Sequence, residues 1–317
     1  MKEFLKRTIY PQVIEMIYQE YSNIMKIPLM GTCEDFKKTQ NMKKNRFSYI
    51  PCWDASRVTI FETADGRDYI NANYVDGFNL KRKFIATELP TPATVNDFWT
   101  MVWQENTHVI VMLNGTEESQ FNVYPYFYSD ANDAIFGNFI IKVKEINLEY
   151  DYIETVISMT EMQTGKSRII THLKYLSWPE NIYPTEESFL QFLLNVNRKQ
   201  HKYYLDAVKN KQLLPGPIVV HGNAGIGRTA SFCAIDNCLY QLVNTKTMSI
   251  PATVHKIRQQ RNCSFPTFHH YLFIYDILFY FLIILESQYE IFMELRYHCI
   301  AKDLYLLCNS KVNLIDN

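Results

Sequence analysis

One stretch constrains the fold more than any other part of the sequence: Pro217 to Ala234 reads PIVVHGNAGIGRTASFCA. An apolar strand runs into a glycine-rich turn, and a helix is predicted to begin near Arg228. The glycines of such a turn let successive backbone N–H groups point inward, and the helix amino terminus adds the positive end of its dipole. This order of elements predicts a binding site for an oxyanion between a buried strand and a helix.

The side chains around the turn indicate that it binds an anion and is not only a connection between two elements. A bare G-x-G pattern on its own is more often only a tight connection. Here His221, Arg228 and Thr229 accompany the glycines, and a guanidinium is a planar group that can hold two phosphate oxygens at once. The predicted phosphate-binding residues are Gly222, Asn223, Ala224, Gly225, Ile226, Gly227 and Arg228.

Composition and charge narrow the possible function classes. The 317 residues are 47% hydrophobic and 21% charged, and their net charge of −1 argues against a protein that binds nucleic acid through bulk positive charge. The seven cysteines are scattered and form no C-x-x-C pair, which argues against zinc and for a reducing compartment. Adjacent His269 and His270 lack a third ligand at a clear spacing, so we expect neither a metal nor a cofactor.

Hydrophobic periodicity predicts one mixed α/β (α+β) domain with a sizeable sheet. No repeat and no Pro/Gly/Ser-rich linker divides the chain. Strands are predicted over 58–61, 84–86, 108–113, 139–143, 153–159, 168–175 and 217–220, and helices over 4–40, 94–106, 186–208, 228–243, 250–260 and 269–285.

The most apolar segment does not predict a membrane span. The run from Tyr271 to Leu285 contains Asp276 and is shorter than the roughly 20 residues that cross a bilayer. We expect a core helix there, with a membrane-associated helix as the alternative. The amino terminus, MKEFLKRTIYPQ, has no continuous apolar stretch and predicts no secretory signal. The expectation is therefore a cytoplasmic protein without a transmembrane segment.

Several motifs resemble those of the protein tyrosine phosphatases and come in that family's order. The family's phosphate loop reads H-C-S-A-G-I-G-R-T-G, and residues 221–230 read HGNAGIGRTA. Residues 44–47 (KNRF) are similar to the K-N-R-Y that lines the phosphotyrosine pocket. Residues 54–58 (DASRV), 68–74 (DYINANY) and 97–103 (DFWTMVW) are similar to further family motifs. The resemblance implies the family's fold, a central twisted mixed sheet flanked by helices.

The resemblance also divides the chain. It covers residues 20–285, which we predict to be the phosphatase-like domain, and leaves 1–20 as a helical N-terminal extension. Residues 286–317 form a predicted C-terminal helical tail that packs on the domain or on a partner. Its apolar residues at roughly helical spacing are Ile291, Leu295, Ile300, Leu304 and Leu307.

The residues that carry out catalysis in this family are changed. The family's nucleophile is a cysteine thiolate that attacks phosphorus. Gly222 stands in its place without a side chain, and Asn223 follows it where the family usually has serine. The W-P-D of the general-acid loop reads Trp178-Pro179-Glu180. The additional methylene of Glu180 displaces the proton donor by about 1 Å, which can lower a rate on the order of 100-fold.

The segment that positions the hydrolytic water is changed as well. The family's Q-T-x-x-Q-Y reads PTFHHY, so Pro266 and His270 stand for the two glutamines. Proline can neither orient water through a side-chain amide nor donate a backbone hydrogen bond. Three further positions differ: Glu88 and Leu89 in the family's A-T-Q-G-P motif, which reads ATELP here, and Tyr49 where an acidic residue anchors the substrate backbone. These coupled changes predict a protein without catalytic function.

The binding half of the site keeps the family's residues. Arg228 is present, and Glu118 lies where the family has a glutamate that orients this arginine. Phe47 keeps an aromatic wall that can stack on a phosphotyrosine ring. The predicted phosphotyrosine pocket comprises Phe47, Tyr49, Glu118 and Trp178.

Three functions remain open from the sequence. The preferred hypothesis is an inactive phosphatase-like protein that binds or sequesters phosphotyrosine-containing proteins in cell signalling. The second is an interaction scaffold with an empty pocket, and the third is a very weak phosphatase, with Cys263 as a conceivable substitute nucleophile. The pattern also resembles phosphatase-like proteins carried by the bracoviruses of parasitoid wasps, which implies a place in the host cytoplasm.

Overall fold

The computed structural model describes residues 11–61, 68–114, 125–128, 133–179 and 183–292, with side chains described up to residue 285. Glu118 and Glu180 lie outside the described residues. So do residues 1–10 of the predicted N-terminal extension and residues 293–317 of the predicted tail.

The described strands belong to one sheet. Its central members come from short apolar runs rich in β-branched residues, such as VIVM and IVVHG. In chain order the strands are β1 (Arg57–Thr59), β2 (Tyr69–Gly77), β3 (Leu80–Glu88), β4 (Val109–Met112), β5 (Ala134–Phe136), β6 (Phe139–Leu148), β7 (Tyr152–Glu161), β8 (Ser167–Tyr175) and β9 (Ile218–Gly222).

Helices flank this sheet, and several have capping residues. Thr185 and Ser249 accept hydrogen bonds from backbone N–H groups at the starts of their helices, which satisfies donors that have no partner within the helix. The α-helices are α1 (Pro11–Lys26), α2 (Glu34–Lys37), α3 (Val95–Gln104), α4 (Glu186–Asn210), α5 (Arg228–Thr245), α6 (Ile250–Gln260) and α7 (Phe268–Phe292). Short 3₁₀ helices span Thr39–Lys44 and Asp54–Ser56.

The sheet is mixed, with a parallel centre. Its strand order is β1-β2-β3-β9-β4-β8-β7-β6-β5. The pairs β3–β9, β9–β4 and β4–β8 are parallel, and the pairs on both flanks are antiparallel. This architecture confirms the predicted single domain with a mixed sheet flanked by helices.

Two apolar clusters cover the two faces of the sheet. One includes Phe189 of α4, Phe232 of α5 and Phe273 of α7, and the other includes Phe98 and Trp99 of α3. All five residues of β9 are buried, as expected for a parallel strand covered on both faces. The strand that leads to the glycine-rich turn therefore lies at the centre of the core, which fixes the position of the turn.

The predicted helix over 4–40 is wrong in its extent. Helix α1 ends at Lys26, and Pro28 follows two residues later, where proline disfavours helix in the residue before it. Gly31 then packs against Trp53, since a Cβ on this glycine would lie 2.8 Å from the Trp53 ring. A second helix, α2, begins only at Glu34.

Strands β2 and β5 were not predicted. In β2 the buried residues include Asn71 and Asn73, so its sequence lacks the apolar alternation of an ordinary strand. Several predicted strands are also longer in the structure: 84–86 belongs to Leu80–Glu88, and 139–143 to Phe139–Leu148.

Helix α7 has the length and the apolar composition of a membrane-spanning helix. Its window Phe268–Leu285 has a mean hydropathy of 1.7, which meets the length and composition of a span but is weak evidence for one. Phe273, Ile274 and Ile277 are buried in the cluster shared with α4 and α5. These contacts support the predicted core helix.

Candidate functional site

The glycine-rich turn lies at the edge of the sheet where the parallel strands end. Gly222 is the last residue of β9 and lies beside Glu88 of β3 in the strand register. Helix α5 begins at Arg228, so residues 223–227 form the connecting loop. A cleft of about 1070 Å³ opens at this loop, and every residue from Gly222 to Thr229 lines it.

The carbonyl groups of residues 223–227 all accept hydrogen bonds from residues that do not line the cleft. A peptide unit holds its N–H opposite its carbonyl, so the loop's N–H groups are directed towards the cleft, where they form a nest for an anion. The bonds are Leu89 N to Asn223 O (3.2 Å), Arg261 Nη2 to Ala224 O (3.1 Å), Arg261 Nε to Gly225 O (3.2 Å), Phe265 N to Ile226 O (3.0 Å) and Ser231 N to Gly227 O (2.9 Å).

Arg261 is the functional residue that the sequence analysis missed. Its side chain is fully buried, and Nη1 donates to Asn71 Oδ1 (2.6 Å) and Asn73 Oδ1 (2.9 Å) while the remaining nitrogens hold the loop. A signal was available, because Asn71 and Asn73 are two residues apart and therefore on one face of a strand. Two buried amides on one face require polar partners, and an arginine supplies several donors.

Gly222 and Gly225 differ in whether the surrounding backbone leaves room for a side chain. Gly225 has a φ of +67°, and a Cβ there would lie 2.2 Å from the carbonyl oxygen of Thr87. At Gly222 a Cβ would make ordinary contacts, 3.8 Å from both Leu113 O and Thr229 Oγ1. The backbone therefore requires glycine at position 225 but not at position 222.

Arg228 lies at the first turn of α5 and lines the cleft. Its Nη1 donates to the carbonyl oxygen of Leu113 at 3.1 Å, a contact that orients the guanidinium from the end of β4. The predicted partner Glu118 lies outside the described residues. Together, the guanidinium, the loop N–H groups and the start of α5 form a site suited to a doubly charged oxyanion.

Two aromatic residues stand at the rim of the cleft. Phe47 is half-buried, and Tyr49 is 72% exposed, with 5.7 Å between their ring centroids. Both line the cleft that contains the loop. The described structure thus brings Phe47 and Tyr49 into one cleft with the loop, and their role in binding phosphotyrosine stays a prediction.

Trp178, Pro266 and His270 line the same cleft but differ in exposure. Trp178 is only 2% exposed and packs on Phe189 and Phe273 at ring-centroid distances of 5.2 and 4.8 Å. It therefore acts mainly as an anchor for its loop. Pro266 is exposed, whereas His270 is half-buried beside the glycine-rich loop.

A comparison with protein families agrees with this geometry. The profile described as Protein-tyrosine phosphatase matches residues 41–280, which include β1 to β9 and the whole cleft loop. The chain belongs to the protein-tyrosine phosphatase family. Its relatives include viral and mammalian members.

Two similar relatives come from Microplitis demolitor bracovirus (isolate Webb). Tyrosine phosphatase H3 is 35% identical over 303 residues, covering 89% of this chain and 93% of the relative. Tyrosine phosphatase H2 is 34% identical over 281 residues, covering 87% and 86%. Mouse tyrosine-protein phosphatase non-receptor type 9 is 34% identical over 272 residues, which cover 84% of this chain and 46% of the relative.

A buried network of a tyrosine and two histidines supports the strand that leads to this phosphatase loop. Tyr126 Oη lies 2.8 Å from His221 Nε2 and 2.6 Å from His172 Nε2. One hydroxyl can accept from one ring and donate to the other, so both imidazoles fit as neutral groups. Burial lowers the pKa of His221 to about 3, and burial and the nearby His221 hold the pKa of His172 well below its ordinary value.

Glu88 holds the chain segment before Phe47 in place at the cleft. Its Oε1 accepts a hydrogen bond from the backbone N–H of Arg46 at 2.7 Å, which holds the segment that carries Phe47. Glu88 is 5% exposed, and burial raises the pKa of its carboxyl group to about 7. This folded pKa lies above the unfolded value near 4.5, so the stability linked to Glu88 is present below that value and is lost as pH rises through about 7.

The two buried histidines are expected to make the domain acid-sensitive. Unfolded imidazoles take up protons near pH 6.5, so the stability linked to neutral His172 and His221 is present above that pH and is lost as pH falls towards the folded pKa values. We expect the free energy of unfolding to fall by about 2 kcal/mol per histidine by roughly pH 5, because each pKa unit corresponds to about 1.4 kcal/mol.

Urea denaturation between about pH 7 and pH 5 measures this loss. The Glu88→Gln variant is the suitable background, because glutamine can still accept the Arg46 bond and the opposite contribution of Glu88 is removed. A free energy of unfolding in this variant that stays constant or rises as pH falls contradicts the prediction.

Cys263, the substitute nucleophile considered from the sequence, does not line the cleft. It is exposed, and desolvation raises the pKa of its thiol. A thiol in that state is a poor nucleophile. Within the described residues no group of His, Cys, Asp and Glu is arranged to hold a metal.

Proposed function

We propose that this protein is a catalytically inactive member of the family that binds phosphotyrosine-containing proteins and withholds them from other enzymes. The observation that carries the proposal is Gly222. It is the last residue of β9, directly before a loop whose carbonyl groups accept hydrogen bonds from outside the cleft, and Arg228 after the loop lines the cleft. The anion-binding parts are in place around a position that has no side-chain nucleophile.

Among the described residues, the groups around Gly222 offer no replacement for a cysteine thiolate. The nearest side-chain atom to its Cβ position is the Thr229 hydroxyl at 3.8 Å. That oxygen is buried and makes no hydrogen bond within the described structure, so no adjacent base activates it. The neighbouring His221 donates to or accepts from Tyr126 on the buried side of the strand.

Loss of the thiolate favours anion binding. A unit charge about 4 Å from a phosphate is worth on the order of 4 kcal/mol of repulsion per charge pair at an effective dielectric constant near 20. Active family members offset this repulsion with the loop N–H groups and the arginine. With Gly222 the same groups bind the anion without this repulsion. Tight binding is therefore compatible with the loss of catalytic activity.

The partners we propose are phosphotyrosine proteins of a host cell, and the proposed compartment is the host cytoplasm. Two observations support this: the bracovirus relatives and the match to a non-receptor phosphatase. The aromatic rim of Phe47 and Tyr49 suits a tyrosine ring, while Arg228 suits its phosphate.

The purified protein is expected not to hydrolyse phosphotyrosine peptides or an aryl phosphate above a matched blank, while it binds the phosphorylated peptide. Isothermal titration with phosphorylated and unphosphorylated peptide measures binding, and phosphate release measures turnover. Equal binding of the two peptides would instead support the scaffold with an empty pocket.

The relatives' names favour one further candidate, a very weak phosphatase. Turnover that is proportional to protein concentration and survives repurification supports it and contradicts the inactive state. The Cys263→Ser variant then tests the thiol that is exposed in the described structure: turnover lost in this variant assigns the chemistry to Cys263, and turnover retained assigns it to another group.

A further inference from the structure

His270 forms part of the cleft wall directly beside the anion loop. A Cβ on Gly227 would lie 2.4 Å from His270 Nε2, so the imidazole packs against the backbone one residue before Arg228. The backbone of His270 is held on both sides, by the carbonyl of Thr267 and by the hydroxyl of Ser231. The ring is therefore a fixed part of the site.

The hydrogen bonds of His270 indicate which nitrogen can take up a proton. Nδ1 lies 2.8 Å from Thr267 Oγ1, and the Thr267 side chain is also bonded to Tyr183. A hydroxyl has one hydrogen, so Thr267 can donate to Tyr183 while it accepts from Nδ1–H. In this arrangement Nε2 has a lone pair beside the loop, and a proton added there creates a second donor.

Burial and the neighbouring Arg228 and His269 keep the ring of His270 neutral when the cleft is empty. Burial is the main cause, and Arg228 and His269 add to it, so that the pKa of His270 falls to about 4. Tyr183 faces the ring at a centroid distance of 6.1 Å, and Asp276 is the acidic residue of α7 that lines the cleft. A doubly negative ligand beside Arg228 reverses this balance, because it attracts a second positive charge.

We propose that His270 is a second cationic group of the anion site, and that it takes one proton from solvent at Nε2 when an oxyanion binds beside Arg228. The proposal rests on the proposed function, since it concerns the same loop. Its chemistry is simple proton uptake coupled to binding. Oxyanion affinity should therefore rise as pH falls, and binding should consume protons.

Sulfate is the probe that separates this effect from titration of the ligand, because it remains a dianion over the whole range used, whereas a phosphate monoester loses a proton near pH 6. Isothermal titration of the full chain at about pH 8 and about pH 5 should give a sulfate affinity roughly tenfold higher at the lower pH, which corresponds to a rise of about two units in the pKa of His270 on binding. Repeating the titration in buffers of different ionisation enthalpy measures the protons taken up.

Two matched variants assign the effect to this ring. In His270→Gln, the sulfate affinities at about pH 5 and about pH 8 should become nearly equal, whatever their common value, because glutamine takes up no proton. His269→Gln changes the adjacent exposed histidine and should keep the gain. Both are compared in the Glu88→Gln background, because burial raises the pKa of Glu88 to about 7 and this group also titrates in the range.

The outcomes separate this inference from the proposed function. No sulfate or phosphopeptide binding at either pH overturns both. Binding with an affinity that is independent of pH, or a gain at low pH that persists in His270→Gln, overturns the role of His270 and leaves the proposed function intact. If the gain at low pH is lost in His269→Gln and kept in His270→Gln, the proton binds to His269, and the proposed role of His270 is overturned.

Discussion

Gly222→Cys is expected to restore one covalent transfer of phosphate to the protein. The backbone accepts a side chain at this position, with the nearest atoms 3.8 Å from the Cβ. A thiol there would lie at the end of β9, among the loop N–H groups and the start of α5, an environment that lowers the pKa of a cysteine. Phosphocysteine should therefore form in proportion to the protein.

Steady turnover should not return with this change alone. Hydrolysis of the intermediate requires a positioned water and a positioned acid or base, and Pro266 and Glu180 are poorly suited to both tasks. Adding Pro266→Gln and Glu180→Asp should raise the steady rate by more than either change alone, because residues that act together in one step are not additive.

Rapid-quench measurement of the phosphoenzyme burst and of the steady-state rate tests this prediction. Gly222→Ser is the matched control, since it adds the same Cβ without a thiolate, and it should give no burst. Family-like turnover from Gly222→Cys alone contradicts the argument, because it means that the other departures are tolerated.

Arg228→Ala is expected to reduce affinity for a phosphotyrosine peptide by at least roughly 100-fold. Hydrogen bonds to charged groups contribute about 1.5 to 3 kcal/mol each, and a guanidinium can form two with one phosphate. The variant also leaves the carbonyl of Leu113 without its donor, so its stability should be measured alongside.

Titration of the phosphopeptide against Arg228→Ala, Arg228→Lys and Arg82→Ala tests whether the loss of affinity is specific to the Arg228 guanidinium. Lysine keeps the charge without the planar fork and should give an intermediate affinity. Arg82, which stacks on Tyr74 and does not line the cleft, should have no effect. Unchanged affinity in Arg228→Ala places the peptide elsewhere on the surface.

The sequence predicted the structure best where residues that are close together in the chain also form the site together. The central strand and the loop from Gly222 to Arg228 were predictable because apolar residues, glycines and an arginine follow one another without interruption. The rest of the sheet was harder. Strand β2 was missed because Asn71 and Asn73 are polar residues in a buried strand, and their partner Arg261 is distant in sequence.

Other features depend on contacts that no local pattern contains. Trp178 was predicted in the pocket, yet its burial comes from Phe189 and Phe273, which belong to two different helices. His270 was assigned mainly as a departure from a motif, whereas its place beside Gly227 arises from the packing of α7 against the loop. Periodicity gives the elements, and only the assembled fold brings such residues together.

The clamp that Arg261 forms with the loop carbonyls has a consequence for how this domain can change over time. The buried guanidinium holds the carbonyls of Ala224 and Gly225, and neither contact involves residue 222, so the fold itself supports the shape of the loop whichever side chain stands at that position. Conformational entropy is already lost on folding, so little remains to oppose binding. A substitution at position 222 therefore changes the side chain at the start of the loop and leaves in place the contacts that shape it.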